Sequence, residues 1–181
     1  MVLTATLAGA LALSGCSRAK STPSLPDSVC WGAFGGVSVE PLLPDGEEAS
    51  VRVSDAEFGL FGGQASAYCR VYVHGKEGFL AWAQARSSGK GTDWNHWGGR
   101  AATTIAAGDE GFLWATGASS VILCERPGQP RATTLSDAQK YLELAVVAEQ
   151  APPDEKSRTA FTNLIRQYVQ FATRELKCAN K

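Results

Sequence analysis

Five cysteines stand at positions 16, 30, 69, 124 and 178 of a 181-residue chain that has only two histidines and one methionine. Sulfur chemistry is therefore prominent, while general acid–base and metal chemistry are thinly supplied. The cysteines are far apart and lack the paired C-x-x-C spacing that brings two thiolates to one zinc ion, so no metal site is expected from them. If Cys16 is spent otherwise, Cys30, Cys69, Cys124 and Cys178 form an even set. In an oxidising compartment such a set reads as two disulfides, and four cysteines permit three pairings.

The remaining reactive residues converge on no familiar chemistry. A Ser–His–Asp arrangement could use only His74 or His96, and His74 precedes Gly75 at a predicted strand end, where a solvated histidine is the ordinary expectation. The chain contains no G-x-S-x-G elbow, P-loop, G-x-G-x-x-G or H-E-x-x-H pattern. Asp45, Glu47, Glu48, Asp55, Glu57, Asp109 and Glu110 are carboxylates on expected turns and strand ends. A hydrolytic pair among them must stand roughly 5 to 9.5 Å apart. The most unusual polar stretch is 89–100, in which Trp94 and Trp97 are flanked by glycines and by Lys90, Asp93, His96 and Arg100. Flat apolar faces beside hydrogen-bonding groups suit a sugar or a protein contact, so Trp94, His96, Trp97 and Arg100 are the candidate contact residues. As a metal site, Asp93 and His96 fall two ligands short of a closed shell. No catalytic residue and no cofactor is assigned.

These residues need a scaffold, and the composition supplies one. Hydrophobic residues make up 44% of the chain, enough for one folded core. The net charge of −1, from 17 Lys+Arg against 18 Asp+Glu, argues against a nucleic-acid partner. A weak internal repeat organises the middle. Phe58–Phe61, Ala67–Val73 and Phe79–Ala83 follow one another around Cys69, while Phe112–Ala115, Val121–Cys124 and Tyr141–Val147 follow around Cys124. Gly62 and Gly117 each sit seven residues before a cysteine, as a strand-joining turn requires. Each half reads as a three-stranded meander.

Period-two alternation puts Cys69, Val71 and Val73 on a core face, with Arg70, Tyr72 and His74 opposite. The apolar run Tyr141–Val147 suits either a one-sided strand or one covered on both sides. Pro152-Pro153 and Asp154 introduce a helix over Glu155–Lys177, with Phe161, Leu164, Ile165, Tyr168, Ala172 and Leu176 in one stripe. A shorter helical stretch is expected between Asp27 and Leu43, interrupted at Gly35-Gly36 and ended by Pro44. The expected fold is α+β: an antiparallel sheet of about six strands from two meanders, packed against the long C-terminal and short N-terminal helices. The layout favours Cys30–Cys69 with Cys124–Cys178, and the nested pairing, Cys30–Cys178 with Cys69–Cys124, is its rival.

The N-terminus carries an address. Met1–Gly15 contains no charge, and the apolar run Val2–Leu13 suits a secretory h-region but is shorter than the roughly 20 residues of a spanning helix. Leu13-Ser14-Gly15-Cys16 resembles the bacterial lipobox, in which the Cys thiol receives diacylglycerol before cleavage. Residues 1–15 are then a leader, 16–27 a flexible Ser/Pro-rich tether, and 28–181 a single domain. Acyl chains contribute about 0.8 kcal/mol per buried methylene, so two or three on Cys16 anchor stably.

Together with Val29-Cys30-Trp31-Gly32, the Gly108–Phe112 turn and the closing Cys178, this layout resembles small actinobacterial lipoproteins, streptomycete-like and of unknown function. The resemblance implies an α+β domain on the extracytoplasmic face of the cell membrane, held by lipid on Cys16, and transfers no catalytic residue. The function expected from all this is a binding or interaction module for an envelope protein or glycan. A cell-envelope hydrolase with an unfamiliar carboxylate site, or a structural subunit using a meander edge or the exposed side of the sheet, are the alternatives.

Overall fold

The computed structural model describes residues 21, 23–61, 64–87, 102–126 and 140–179. From the N-terminus, a small hairpin of β1 (Ser28–Val29) and β2 (Phe34–Gly35) leads through α1 (Gly36–Val39) and a 3-10 turn (Glu40–Leu42) into β3 (Ala49–Val53). There follow β4 (Ser66–Val73), β5 (Lys76–Arg86), β6 (Thr103–Thr104), β7 (Glu110–Trp114), β8 (Gly117–Leu123), β9 (Tyr141–Val147) and α2 (Glu155–Glu175).

Among the described residues, β3 to β9 form one antiparallel sheet in the order β3-β4-β5-β9-β8-β7-β6. Two meanders, β3-β4-β5 and β7-β8-β9, are thus joined through their last strands, with the two-residue β6 added beyond β7. At the join, Ala81 faces Val146 and Ala83 faces Leu144. Alternation reads out as expected in β4, where Ala67, Cys69, Val71 and Val73 are buried and Arg70 and Tyr72 are half-buried. His74 and Gly75 both have positive φ (49° and 74°), the geometry of a tight two-residue hairpin turn matched to strand twist. From Leu142 to Val147 every residue of β9 is buried, so this strand is covered on both sides.

One strand differs from the sequence expectation. The first meander opens with Ala49–Val53, not with Phe58–Phe61. The latter segment turns inward: Phe58 packs edge-on against Trp31 (5.2 Å) and Phe171 (5.1 Å), while Phe61 takes a left-handed φ of 81°. Glycines at 59, 62 and 63 weaken extended pairing there, and burial of Phe58 decides the path.

A second correction concerns the N-terminal helix. Residues 28–35 form a hairpin, and only Gly36–Val39 is α-helical before the 3-10 turn. Cys30, Trp31 and Gly32 have φ of 55°, 60° and 87°, a left-handed reversal that no right-handed helix accommodates. The reversal is held by the Cys30–Cys69 disulfide and by the Trp31 indole N–H, which donates to the Asp55 carbonyl at 2.9 Å. Ahead of the hairpin, Pro23 is buried and Leu25 N donates to Glu40 Oε1 at 3.3 Å.

The inner face of the sheet is covered in two parts. α2 lies against β7, β8 and β9 and buries Phe161, Leu164, Ile165, Tyr168, Phe171 and Ala172. The N-terminal hairpin covers the first meander, with Phe34 edge-on to Phe79 (5.8 Å) and 5.4 Å from Tyr168. Asp154 caps α2 by accepting from Ser157 N at 2.8 Å, which holds its carboxyl below the usual range. At the other end Lys177 is left-handed (φ 52°) and turns Cys178 back to Cys124. The disulfides are Cys30–Cys69 and Cys124–Cys178, with Cα–Cα distances of 5.4 and 4.6 Å, so the nested pairing does not occur.

Candidate functional site

The outer face of the first meander is where half-exposed side chains gather. Tyr68, Arg70 and Tyr72 on β4 share it with Ser50 and Arg52 on β3 and with Leu80, Trp82 and Gln84 on β5. Register places Arg52 opposite Arg70, Ser50 opposite Tyr72 and Trp82 opposite Tyr68. Two like charges directly opposite repel each other. Each guanidinium instead lies over a ring: Arg70 over Tyr68 at 4.4 Å and Arg52 over Tyr72 at 5.3 Å. Arg70 Nε also pairs with Glu77 Oε2 at 2.8 Å. Tyr68 remains 37% exposed. The result is an amphipathic Tyr/Arg ladder whose charges are spread over aromatic faces.

Towards the second meander the same face is buried. Glu143 is 2% exposed and accepts from the Arg86 guanidinium, while Ala145 and Ser119 are fully covered. The Trp114 ring lies across Gly117, where a Cβ would come within 2.6 Å of it. Among the described residues, Ser119 Oγ and Trp114 Nε1 have no hydrogen-bond partner.

The sequence candidates distribute as follows. Trp94, His96, Trp97 and Arg100 lie outside the described residues, as does Cys16 with the lipobox. His74 is exposed in the β4–β5 turn, and its Nε2 accepts from Glu47 N at 3.3 Å. The carboxylates fall at two ends of the sheet. Asp45, Glu47, Glu48, Asp55 and Glu57 flank β3, while Asp109 and Glu110 belong to the β7 side. Five strand spacings separate β3 from β7, roughly 24 Å, beyond the span over which two carboxylates cooperate on one bond. Asp109 is committed locally, accepting from Leu123 N at 2.6 Å.

A cavity of about 380 Å³ lies between the 40–45 turn and the start of α2, lined by Glu40, Asp45, Asp154, Lys156 and prolines. Glu40 and Asp154 are already engaged by Leu25 N and Ser157 N. No group of three or more His, Cys, Asp or Glu suited to a metal ion occurs among the described residues. No helix among them is long and apolar enough to cross a membrane.

Sequence reading put Arg70 and Tyr72 on the outer face but missed Arg52, because β3 was not recognised. The short alternation Val51-Arg52-Val53 was the available signal. Comparison with protein-family models, with curated proteins and with solved structures finds no match for this chain.

Proposed function

We propose that the chain is a lipid-anchored, extracytoplasmic interaction module whose contact surface is the Tyr/Arg ladder of the first meander, and that its partner is an envelope protein. The observation that carries the reading is the exposed stack of Arg70 on Tyr68 beside Arg52 on Tyr72. Tyr, Trp and Arg dominate the energetics of protein interfaces, since they bring large area and directed hydrogen bonds with few rotors to order. Stacked guanidiniums cover the ring faces that a sugar would need, which favours a protein over a glycan. Cysteine arithmetic supports the compartment: the two disulfides account for four of five cysteines and leave Cys16 to the lipobox chemistry.

Two measurements test this. Mass spectrometry of the N-terminal peptide should find a diacylglyceryl thioether on Cys16, and Cys16→Ser should leave the membrane fraction. A photo-crosslinking side chain at Tyr72 should capture a discrete envelope protein that one at Lys156, on the helix side, does not. Equal capture from both positions rejects the ladder as the contact.

A further inference from the structure

The free edge of β3 carries an interaction surface of its own. His74 N donates to Glu48 O at 3.2 Å and Ser54 N to Tyr68 O at 2.8 Å. An antiparallel ladder repeats this exchange at every second residue, so Ser50 and Arg52 also direct their backbone groups to β4. The N–H and C=O groups of Ala49, Val51 and Val53 therefore point away from the sheet, and among the described residues nothing hydrogen-bonds them. Sheets usually blunt such an edge with Pro, Lys, a bulge or a covering segment. β3 has no Pro or Lys and keeps continuous register, Arg52 is its one charge, and the turn at Cys30–Gly32 packs beside it without a backbone hydrogen bond to Ala49, Val51 or Val53, the last of which is 38% exposed.

We propose that a second copy of this chain pairs antiparallel along this edge, about a two-fold axis at Val51. The strand is self-complementary in that register. Val51 meets the partner's Val51, Ala49 meets the partner's Val53, and Ser50 meets the partner's Arg52, so small residues face large ones and the two arginines do not face each other. All three outward-pointing residues become hydrogen-bonded pairs, closing about six backbone bonds at two per pair. Glu48 is exposed just ahead of β3, and its carbonyl accepts from His74 N, which continues the backbone alternation that Ser50 and Arg52 follow. The register sets each Arg52 diagonal to the partner's Glu48 on one side and to the partner's Arg52 on the other, and the guanidinium meets Glu48 by swinging off the Tyr72 ring of its own chain. Neither residue has an ion-pair partner in its own chain among the described residues. Two-fold symmetry uses this charge complementarity twice and closes the assembly at two subunits. The pairing merges two sheets and brings both Tyr/Arg ladders side by side, but it does not depend on what the ladder binds.

Sedimentation equilibrium of the full chain in non-ionic detergent tests the pairing. Wild type should sediment as a dimer. Val51→Pro deletes the N–H at the axis while sparing the β3–β4 ladder, and should sediment as a monomer with an unchanged far-UV spectrum. Arg52→Glu should weaken the dimer about tenfold by placing like charges on both diagonals, and Glu48→Arg combined with Arg52→Glu should restore it. If Val51→Pro fails to fold, the charge reversal and its rescue decide. A wild-type monomer up to about 100 µM overturns the proposal, as does a dimer indifferent to Arg52→Glu.

Discussion

Tyr168 is fully buried among Phe34, Phe58 and Phe171, and its hydroxyl has no hydrogen-bond partner among the described residues. An unmet buried hydroxyl costs stability, so Tyr168→Phe should stabilise the fold by about 1 kcal/mol in urea unfolding. Burial also pushes the phenol above its ordinary value of 10.0. The unfolded chain therefore releases this proton first. Stability conferred by Tyr168 is complete below pH 10.0 and falls as the pH climbs towards the raised native value. Tyr168→Phe should remove that part of the alkaline decline, and unchanged alkaline behaviour would refute the assignment. Sequence periodicity placed Tyr168 in the buried stripe because helical spacing is a local property. It did not show that the hydroxyl would be unpartnered, which depends on chain segments more than a hundred residues away.

At the scale of elements, the seam between β5 and β9 holds the two meanders together. Arg86 and Glu143 lie near its open end, and Arg86 is 30% exposed while Glu143 is 2% exposed. Removing Arg86 takes one cationic partner from a carboxylate that is almost fully buried. Arg86→Met should cost about 2 kcal/mol, less than for a fully buried pair because Arg86 is partly hydrated. Arg86→Met with Glu143→Met should be less destabilised than Arg86→Met alone. Denaturation midpoints check both, and strictly additive losses would show that the pair is not coupled.

Most strands were legible because the alternation in β4 and the apolar runs of β5 and β9 are strong local signals. β3 was not, since a five-residue edge strand with half-exposed valines gives little contrast. The richer aromatic segment at 58–61 competed for its place, and only the tertiary pull of Trp31 and Phe171 on Phe58 settles the matter. Without β3, the opposition of Arg52 and Arg70 could not be read, although Arg70 and Tyr72 were already on the correct face.

For the whole molecule, the disulfides close sequence separations of 39 and 54 residues. Loop-closure entropy assigns about 4 kcal/mol to each, on the scale of a domain's net stability. Cys30→Ser with Cys69→Ser, and separately Cys124→Ser with Cys178→Ser, should each lower the unfolding free energy by about 2–4 kcal/mol, measured by urea titration. Wild-type midpoints in both variants would mean that the bridges carry no weight. The correct pairing was readable from the repeat, because each bridge links one meander to the segment that packs on it.

The last-strand join has a temporal corollary. A polypeptide emerging N-terminus first can fold the β3-β4-β5 meander and close the Cys30–Cys69 bridge early. The trailing half stays open until the segment from Tyr141 to Cys178 appears, since it supplies the middle strand β9, the helix over it and one sulfur of the second bridge. Maturation waits on that segment, and a truncation before β9 would leave β5 without its neighbour and the apolar face of β7 and β8 without the helix that covers it.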